Sequence, residues 1–226
     1  MTALLFGSIG TLADTSELQR DAFNAAFVEH GLDWRWEHDD YVEMLRSSGG
    51  SDRVAVYAAQ RGQDVDVAAV HATKSRLFQD RLASGGVSPR AGAAEAIDAA
   101  RAQGVSVALV TTTEPANVAA LLAALSPRIT AEHFDLIVDT TSVSAPKPDP
   151  AAYLYAVKTL GQDASACVAL EDNEGGLAAA AAAGVTCVAF PNTNTQSHEF
   201  AAAATRVSSV DLDQLTALVT HDGRSN

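Results

Sequence analysis

Five short stretches of this chain carry residue types and spacings that matter for chemistry. Glu171 and Asp172 form an acidic pair directly after the apolar run Cys167–Leu170. They read either as a functional acid pair or as two carboxylates facing the dipole at the start of a helix. Lys147 stands in Ala145-Pro146-Lys147-Pro148-Asp149-Pro150. The flanking prolines hold that segment extended, and Pro150 suits the first position of a helix. An ammonium presented so stiffly suits an anionic oxygen. Thr111, Thr112 and Thr113 precede a helical pattern that begins near Pro115. Hydroxyls there cap the helix and leave its amides facing an anion. Gly49-Gly50 admits close approach of backbone amides to an anion, and Arg53, Arg46 and Lys74 supply positive charge nearby. The fifth stretch, Gly7-Ser8-Ile9-Gly10-Thr11, carries no carboxylate. Strand alternation would put positions 7 and 9 on one side and Ser8 on the other.

The elements that position these stretches are legible. Five apolar runs, Ala3–Phe6, Val105–Val110, Leu136–Val138, Cys167–Leu170 and Cys187–Phe190, mostly lack polar alternation. That is the pattern of strands buried on both faces. Helical patterns at Pro115–Leu125, Pro150–Leu160 and Gly176–Ala183 lie between the last four. Alternating strand and helix predicts an α/β fold with a parallel sheet and right-handed crossovers. Ligands of such sheets sit beyond the carboxyl ends of the strands, where all but the glycine-rich stretch fall.

The first two runs are separated by residues that read as helix only. Asp14 and Thr15 suit an N-cap, and Leu18, Ala22, Phe23, Ala26 and Phe27 share one face up to Gly31. Helices are expected at 38–47, 51–61 and 66–84, stopped by Gly49-Gly50, Gly62 and Gly85-Gly86. The expected division is a core of residues 1–14 and 86–226 and a small helical domain of residues 15–85, a lid over the carboxyl edge of the sheet.

Bulk properties narrow the function. The chain has 226 residues, 47% of them hydrophobic, enough to fill a core. A net charge of −13 argues against nucleic-acid binding and leaves room for a small anion at a locally positive site. No apolar run reaches the roughly 20 residues of a membrane span. The opening Met-Thr-Ala-Leu-Leu-Phe has no basic region, so no signal peptide and a cytoplasmic location are expected. Cys167 and Cys187, each beside Val and without basic neighbours, read as buried thiols.

In their order along the chain these strand-end residues resemble the four motifs of the haloacid dehalogenase (HAD) superfamily, and the helical insertion sits where one subclass places its cap. Leu12-Ala13-Asp14-Thr15, Arg20, Ala22-Phe23-Asn24, Gly31-Leu32-Asp33-Trp34, Gly49-Gly50, Arg53 and Lys74 are similar to the CbbY-like and β-phosphoglucomutase-like sugar-phosphate phosphatases. The resemblance implies a Rossmann-like core, a cap and a phosphorylated metabolite as ligand, with no nucleic acid or membrane partner and a monomer as the expected state. It assigns Thr111, with Thr112 and nearby amides, and Lys147 to a transferred phosphoryl group, and Glu171 and Asp172 to Mg²⁺. The family's first motif, however, reads Asp-x-Asp-Gly-Thr. Its first Asp attacks phosphorus, and its second moves the proton of the leaving oxygen. Here those positions are Gly7 and Ile9, while Gly10, Thr11 and Leu12 keep the alignment.

The charge count follows. Glu171, Asp172 and Lys147 leave a formal −1, two units less negative than the full set. Mg²⁺ is therefore expected to be weak or absent, with Glu171, Asp172 and the carbonyl of Ile9 as its available ligands. Arg46, Gly49, Gly50, Arg53 and Lys74 would form an anion site in the cap, with Tyr41 and Trp34 either lining the cleft or filling the cap's core. Ser16, Gln19 and Ser51 depart from the subgroup's acid, His and Lys. Three readings follow: a non-catalytic binder of a phosphorylated metabolite, a phosphatase working by a Mg²⁺-assisted route, and an interaction or regulatory protein.

Overall fold

The computed structural model describes residues 1–46 and 49–220. Six strands form one wholly parallel sheet in the order β3-β2-β1-β4-β5-β6. They are β1 (Ala3–Phe6), β2 (Ser106–Val110), β3 (Leu136–Val138), β4 (Cys167–Glu171), β5 (Thr186–Ala189) and β6 (Thr205–Arg206). The helices are α1 (Ile9–Leu12), α2 (Ser16–Glu29), α3 (His38–Met44), α4 (Gly50–Arg61), α5 (Val67–Ala83), α6 (Ala93–Ala102), α7 (Pro115–Leu125), α8 (Ala151–Leu160), α9 (Glu174–Ala182) and α10 (Leu212–Thr220). No helix among the described residues is long and apolar enough to cross a membrane.

Burial on both faces explains the unbroken apolar runs. Leu4, Phe6, Val107, Leu109, Val168 and Leu170 pack on one face with α6, α7 and α10. Ala3, Leu5, Ala108, Val110, Cys167 and Ala169 pack on the other with α8 and α9. Both cysteines are free thiols in that second layer. The chain leaves central β1 for β2 on one side and later returns to β4 on the other. That reversal opens a crevice at the strands' carboxyl ends.

Helices α2–α5 occupy the stretch between β1 and β2 and build an apolar cluster of their own, with Phe23, Phe27, Trp34, Trp36, Tyr41, Val54 and Val70. Trp36 is fully buried between Phe23 and Phe27, with ring centroids 4.6 and 4.9 Å away. Ala22, Phe78 and Leu82 instead join the sheet's cluster, so α2 and α5 carry the insertion on the core.

Several elements differ from expectation. Helix α3 ends at Met44, and residue 47 of the helix expected at 38–47 lies outside the described residues. Gly49 and Gly50 open α4 instead of closing the helix before it. Pro150 and Asn173 precede α8 and α9 as N-caps, and the Asn173 side chain accepts from the Gly176 amide. Thr15 precedes α2 without a side-chain cap bond, while Asp14 accepts from Ser16 and Thr193. Short α1, α6, β6 and α10 have no counterpart among the expected elements.

Candidate functional site

The sheet's carboxyl edge and the insertion enclose a cleft of about 490 Å³. Gly7, Ile9, Thr111, Thr112, Lys147, Glu171 and Asp172 line its floor, and Gly49, Gly50, Arg53 and Lys74 line its insertion side. Arg46, expected at the anion site of the cap, lies outside the lining. It pairs with Glu43 at 2.8 Å and with Glu174 at 3.1 Å, across the rim from α3 to α9. Tyr41 is buried and borders the cleft, whereas Trp34 lies in the insertion's core with its indole N–H on Gln63 at 2.6 Å.

At the floor, strand register brings Gly7 level with Glu171. Phe6 pairs with Leu170, and the Gly7 amide continues the ladder to the Leu170 carbonyl at 2.8 Å. A Cβ on Gly7 would overlap the Glu171 carboxyl and the Tyr153 hydroxyl. The glutamate thus fills the volume in which a side chain at position 7 would begin. Lys147 Nζ donates to Glu171 Oε1 at 2.6 Å, to the Val110 carbonyl at 2.7 Å and to the Gly7 carbonyl. Tyr153 donates to the same Glu171 oxygen at 2.7 Å. Lys147 is 4% exposed and Glu171 0%. Burial pushes the Glu171 carboxyl up against the opposing pull of Lys147, and burial with Glu171 beside it pushes the Tyr153 phenol up. An ammonium has three protons to give, and three acceptors already hold those of Lys147.

Asp172 is engaged through both of its oxygens. Its Oδ1 accepts from Ser8 Oγ at 2.8 Å and from Asn173 Nδ2 at 3.0 Å, and its Oδ2 from Asn192 Nδ2 at 3.0 Å. The Ser8 contact corrects the alternation argument. The backbone stops being a strand after Phe6 and turns into α1 at Ile9, with Ser8 as its N-cap, so period two no longer applies. Ser8 therefore faces Asp172 rather than away from the site. Gly10 has its own reason to lack a side chain, since a Cβ there would overlap Asp172 Oδ2.

Thr111 closes a turn. Its Oγ1 accepts from the Thr113 amide at 3.1 Å and donates to Thr113 Oγ1 at 2.9 Å. Glu114, not a threonine, is the N-cap of α7. Glu114 reaches across to the insertion and accepts from Ser75 at 3.0 Å.

The insertion side contrasts with the floor. Lys74 is 4% exposed, lies 4.7 Å and 5.0 Å from the Phe23 and Phe78 ring centroids, and donates to Gln19 Oε1 at 2.9 Å. Burial, with Arg53 nearby, lowers its ammonium to about 7. Burial and then Lys74 lower the His71 imidazole as well. Arg53 Nε donates to the Met44 carbonyl at 3.0 Å. Gly50 lies against His71 and Phe23, and a Cβ there would crowd both.

A divalent cation does not fit these residues. The Ile9 carbonyl accepts from the Ala13 amide at 3.1 Å, Asp172 is covered by three neutral donors, and Glu171 Oε1 is held by Lys147 and Tyr153 while its buried Oε2 has no partner. Of the ligand set anticipated for Mg²⁺, Glu171, Asp172 and the Ile9 carbonyl, Glu171 Oε2 alone has no internal donor, and the Lys147 ammonium lies on the same carboxylate. No group of three or more His, Cys, Asp or Glu residues able to hold a metal occurs among the described residues.

Sequence reading overlooked several residues of this site. Asn192 follows β5 as Asp172 follows β4, so the strand-end rule would have found it. His71 precedes Lys74 by three residues on α5 and so shares its face. Arg90 donates to the carbonyls of Gly10, Phe190 and Pro191 at 3.1, 2.7 and 2.6 Å, tying the ends of β1 and β5 together. No local pattern marks it.

Fold and site order define the class. The model of the haloacid dehalogenase-like hydrolases matches residues 1–184, and this chain belongs to that family. Within the family it falls in the CbbY-like subgroup. It is 40% identical to protein CbbY of Rhodobacter capsulatus over 210 residues, 92% of each chain. The crystal structure of CbbY from Rhodobacter sphaeroides with phosphate superposes with a TM-score of 0.85 at 37% identity, covering 92% of this chain and 94% of that one. A mutant of that protein in complex with xylulose-(1,5)-bisphosphate matches equally well.

Proposed function

We propose that this chain binds a small phosphorylated metabolite between its sheet and a helical cap of residues 15–85, and that it is impaired as a hydrolase. The sheet side of the cleft belongs to the core, residues 1–14 and 86–226. The observation that carries this reading is the Glu171 carboxyl lying where a side chain on Gly7 would start, locked to Lys147 and Tyr153. Phosphoryl transfer through a carboxylate needs that group free at the head of β1 and an acid two residues on. Gly7 supplies neither, and Ile9 can neither give nor take a proton. A metal-assisted route is not favoured, because Asp172 accepts three internal hydrogen bonds and the Lys147 ammonium sits on Glu171, leaving Glu171 Oε2 as the one unpaired oxygen of the two acids.

A panel of sugar phosphates, assayed with added Mg²⁺ on the wild type and on Gly7→Asp/Ile9→Asp, tests this. Asp at position 7 must displace the Glu171 carboxyl and the Tyr153 hydroxyl, both at the far ends of their side chains. The expected result is binding without turnover in the wild type and, in the double variant, hydrolysis of those esters, bisphosphates included, whose phosphate reaches the head of β1. Robust wild-type turnover would sink the impaired-hydrolase reading. Failure of both proteins to bind or hydrolyse any ester would favour an interaction or regulatory role instead.

A further inference from the structure

Two buried lysines stand at opposite sides of the one cleft, and their bonding differs. Lys147, on the floor, spends its three protons on Glu171, Val110 and Gly7. Lys74, on the cap, has Gln19 as its hydrogen-bond acceptor and otherwise faces the Phe23 and Phe78 rings. An ammonium so buried with one acceptor leaves donors that an anion's oxygens would satisfy. Arg53 and His71 border the same end, together with Asp52 and Glu114. The Glu114 carboxylate accepts from Ser75 and lies 3.6 Å from His71 Nδ1, so with Asp52 it offsets part of the positive charge at this end. On the floor, Lys147 and Glu171 cancel and the Asp172 carboxylate remains, 6% exposed. A phosphate placed there would meet that negative charge and would have to pull Lys147 from Glu171.

We propose that the cleft takes a monophosphate, with its phosphate on Lys74, Arg53 and His71 and an uncharged hydroxylated end toward Ser8, Asp172 and Asn192. Glu171 acts as an internal anion that holds the second phosphate position. This selectivity rests on the reading that the cleft holds a phosphorylated metabolite. It deepens that reading by fixing the number of phosphates and the ligand's direction. The orientation also accounts for a phosphatase frame without a nucleophile, because it sets the ester bond away from strand β1.

Calorimetric titration of the full chain with ribose 5-phosphate and with xylulose-(1,5)-bisphosphate tests the inference. In the wild type the bisphosphate should bind no more than about threefold tighter than the monophosphate, and Lys74→Met should weaken both about tenfold or more. Glu171→Gln, which removes the internal charge while keeping its shape, should shift preference toward the bisphosphate by about tenfold. A wild-type preference for the bisphosphate of about tenfold or more overturns the inference and leaves the binding reading intact. Unchanged monophosphate affinity in Lys74→Met also overturns it. Absence of binding by either ester in every variant defeats the binding reading and the inference together. If Glu171→Gln fails to fold, the wild-type ratio and Lys74→Met still decide.

Discussion

The two walls of the cleft solve the same problem, burying an ammonium, in opposite ways. On the sheet side, the ends of β1, β2 and β4 and the Tyr153 side chain surround Lys147 with a carboxylate, a phenol and two backbone carbonyls. Three of these come from parallel neighbours whose register is fixed by a fully buried sheet. On the cap side, α2 and α5 surround Lys74 with two phenyl rings and one amide oxygen. In the first arrangement every ammonium proton has an acceptor, and the one unpaired atom is the buried Glu171 Oε2. The second is held at a cost in the free protein and is relieved by an anion. A buried ammonium is less costly where its protons are paired than where they are left without acceptors. The difference therefore says which wall serves stability and which serves binding.

The sheet side gives the largest expected effect. Lys147→Met would leave the fully buried Glu171 carboxylate with Tyr153 as its remaining donor. Removing one partner of a buried pair typically costs about 3–5 kcal/mol, while replacing both by apolar residues of similar volume is often neutral or better. Urea denaturation at pH 7 should therefore show a large loss for Lys147→Met and recovery of most of it in Lys147→Met/Glu171→Leu. A single-variant loss below about 1 kcal/mol would mean that Lys147 and Glu171 do not depend on each other, and the contrast between the walls would fall.

On the cap side the effect is smaller and depends on pH. The folded-state ammonium of Lys74 is lowered to about 7 by burial, whereas the unfolded chain holds that proton up to about 10.4. Between those values the unfolded state binds more protons, so this group makes stability rise with pH from about 7 to about 10. Below that window its cost is full. Lys74→Met should thus raise stability near pH 6 by an amount on the order of a few kcal/mol and leave it nearly unchanged near pH 10. Denaturant midpoints measured without phosphate across that range check the sign. A gain equal at both ends would make Lys74 a packing residue rather than a strained charge.

Much of this contrast could be read from the sequence, and its limits have physical causes. The strands were legible because burial on both faces leaves Val, Leu and Ala runs without polar interruption, whereas β6, two exposed residues at a sheet edge, leaves no such trace. Lys147 announced itself through its prolines. Its lock with Glu171 did not, because that bond depends on a side chain missing from a different strand at Gly7. Ser8 was misplaced because alternation was extended past the point where the chain coils into α1. Lys74 was expected as a basic cap residue, but its burial between Phe23 and Phe78 depends on the packing of α2 on α5, which helical periodicity alone does not reveal.

The smallest expected effect lies at the rim where the walls meet. Arg46 reaches from the end of α3 to Glu174 at the start of α9 and also pairs with Glu43, and its side chain is 43% exposed. Exposed pairs of this kind gain little over their hydrated ions and are screened by salt. Helices α2 and α5 already fix the cap to the core through Ala22, Phe78 and Leu82. Arg46→Ala should therefore leave the denaturation midpoint unmoved within error and leave monophosphate affinity as in the wild type, since the guanidinium lies outside the cleft lining. If affinity instead fell as far as in Lys74→Met, the rim would belong to the binding wall, and the boundary between the two halves would have to be redrawn to include it.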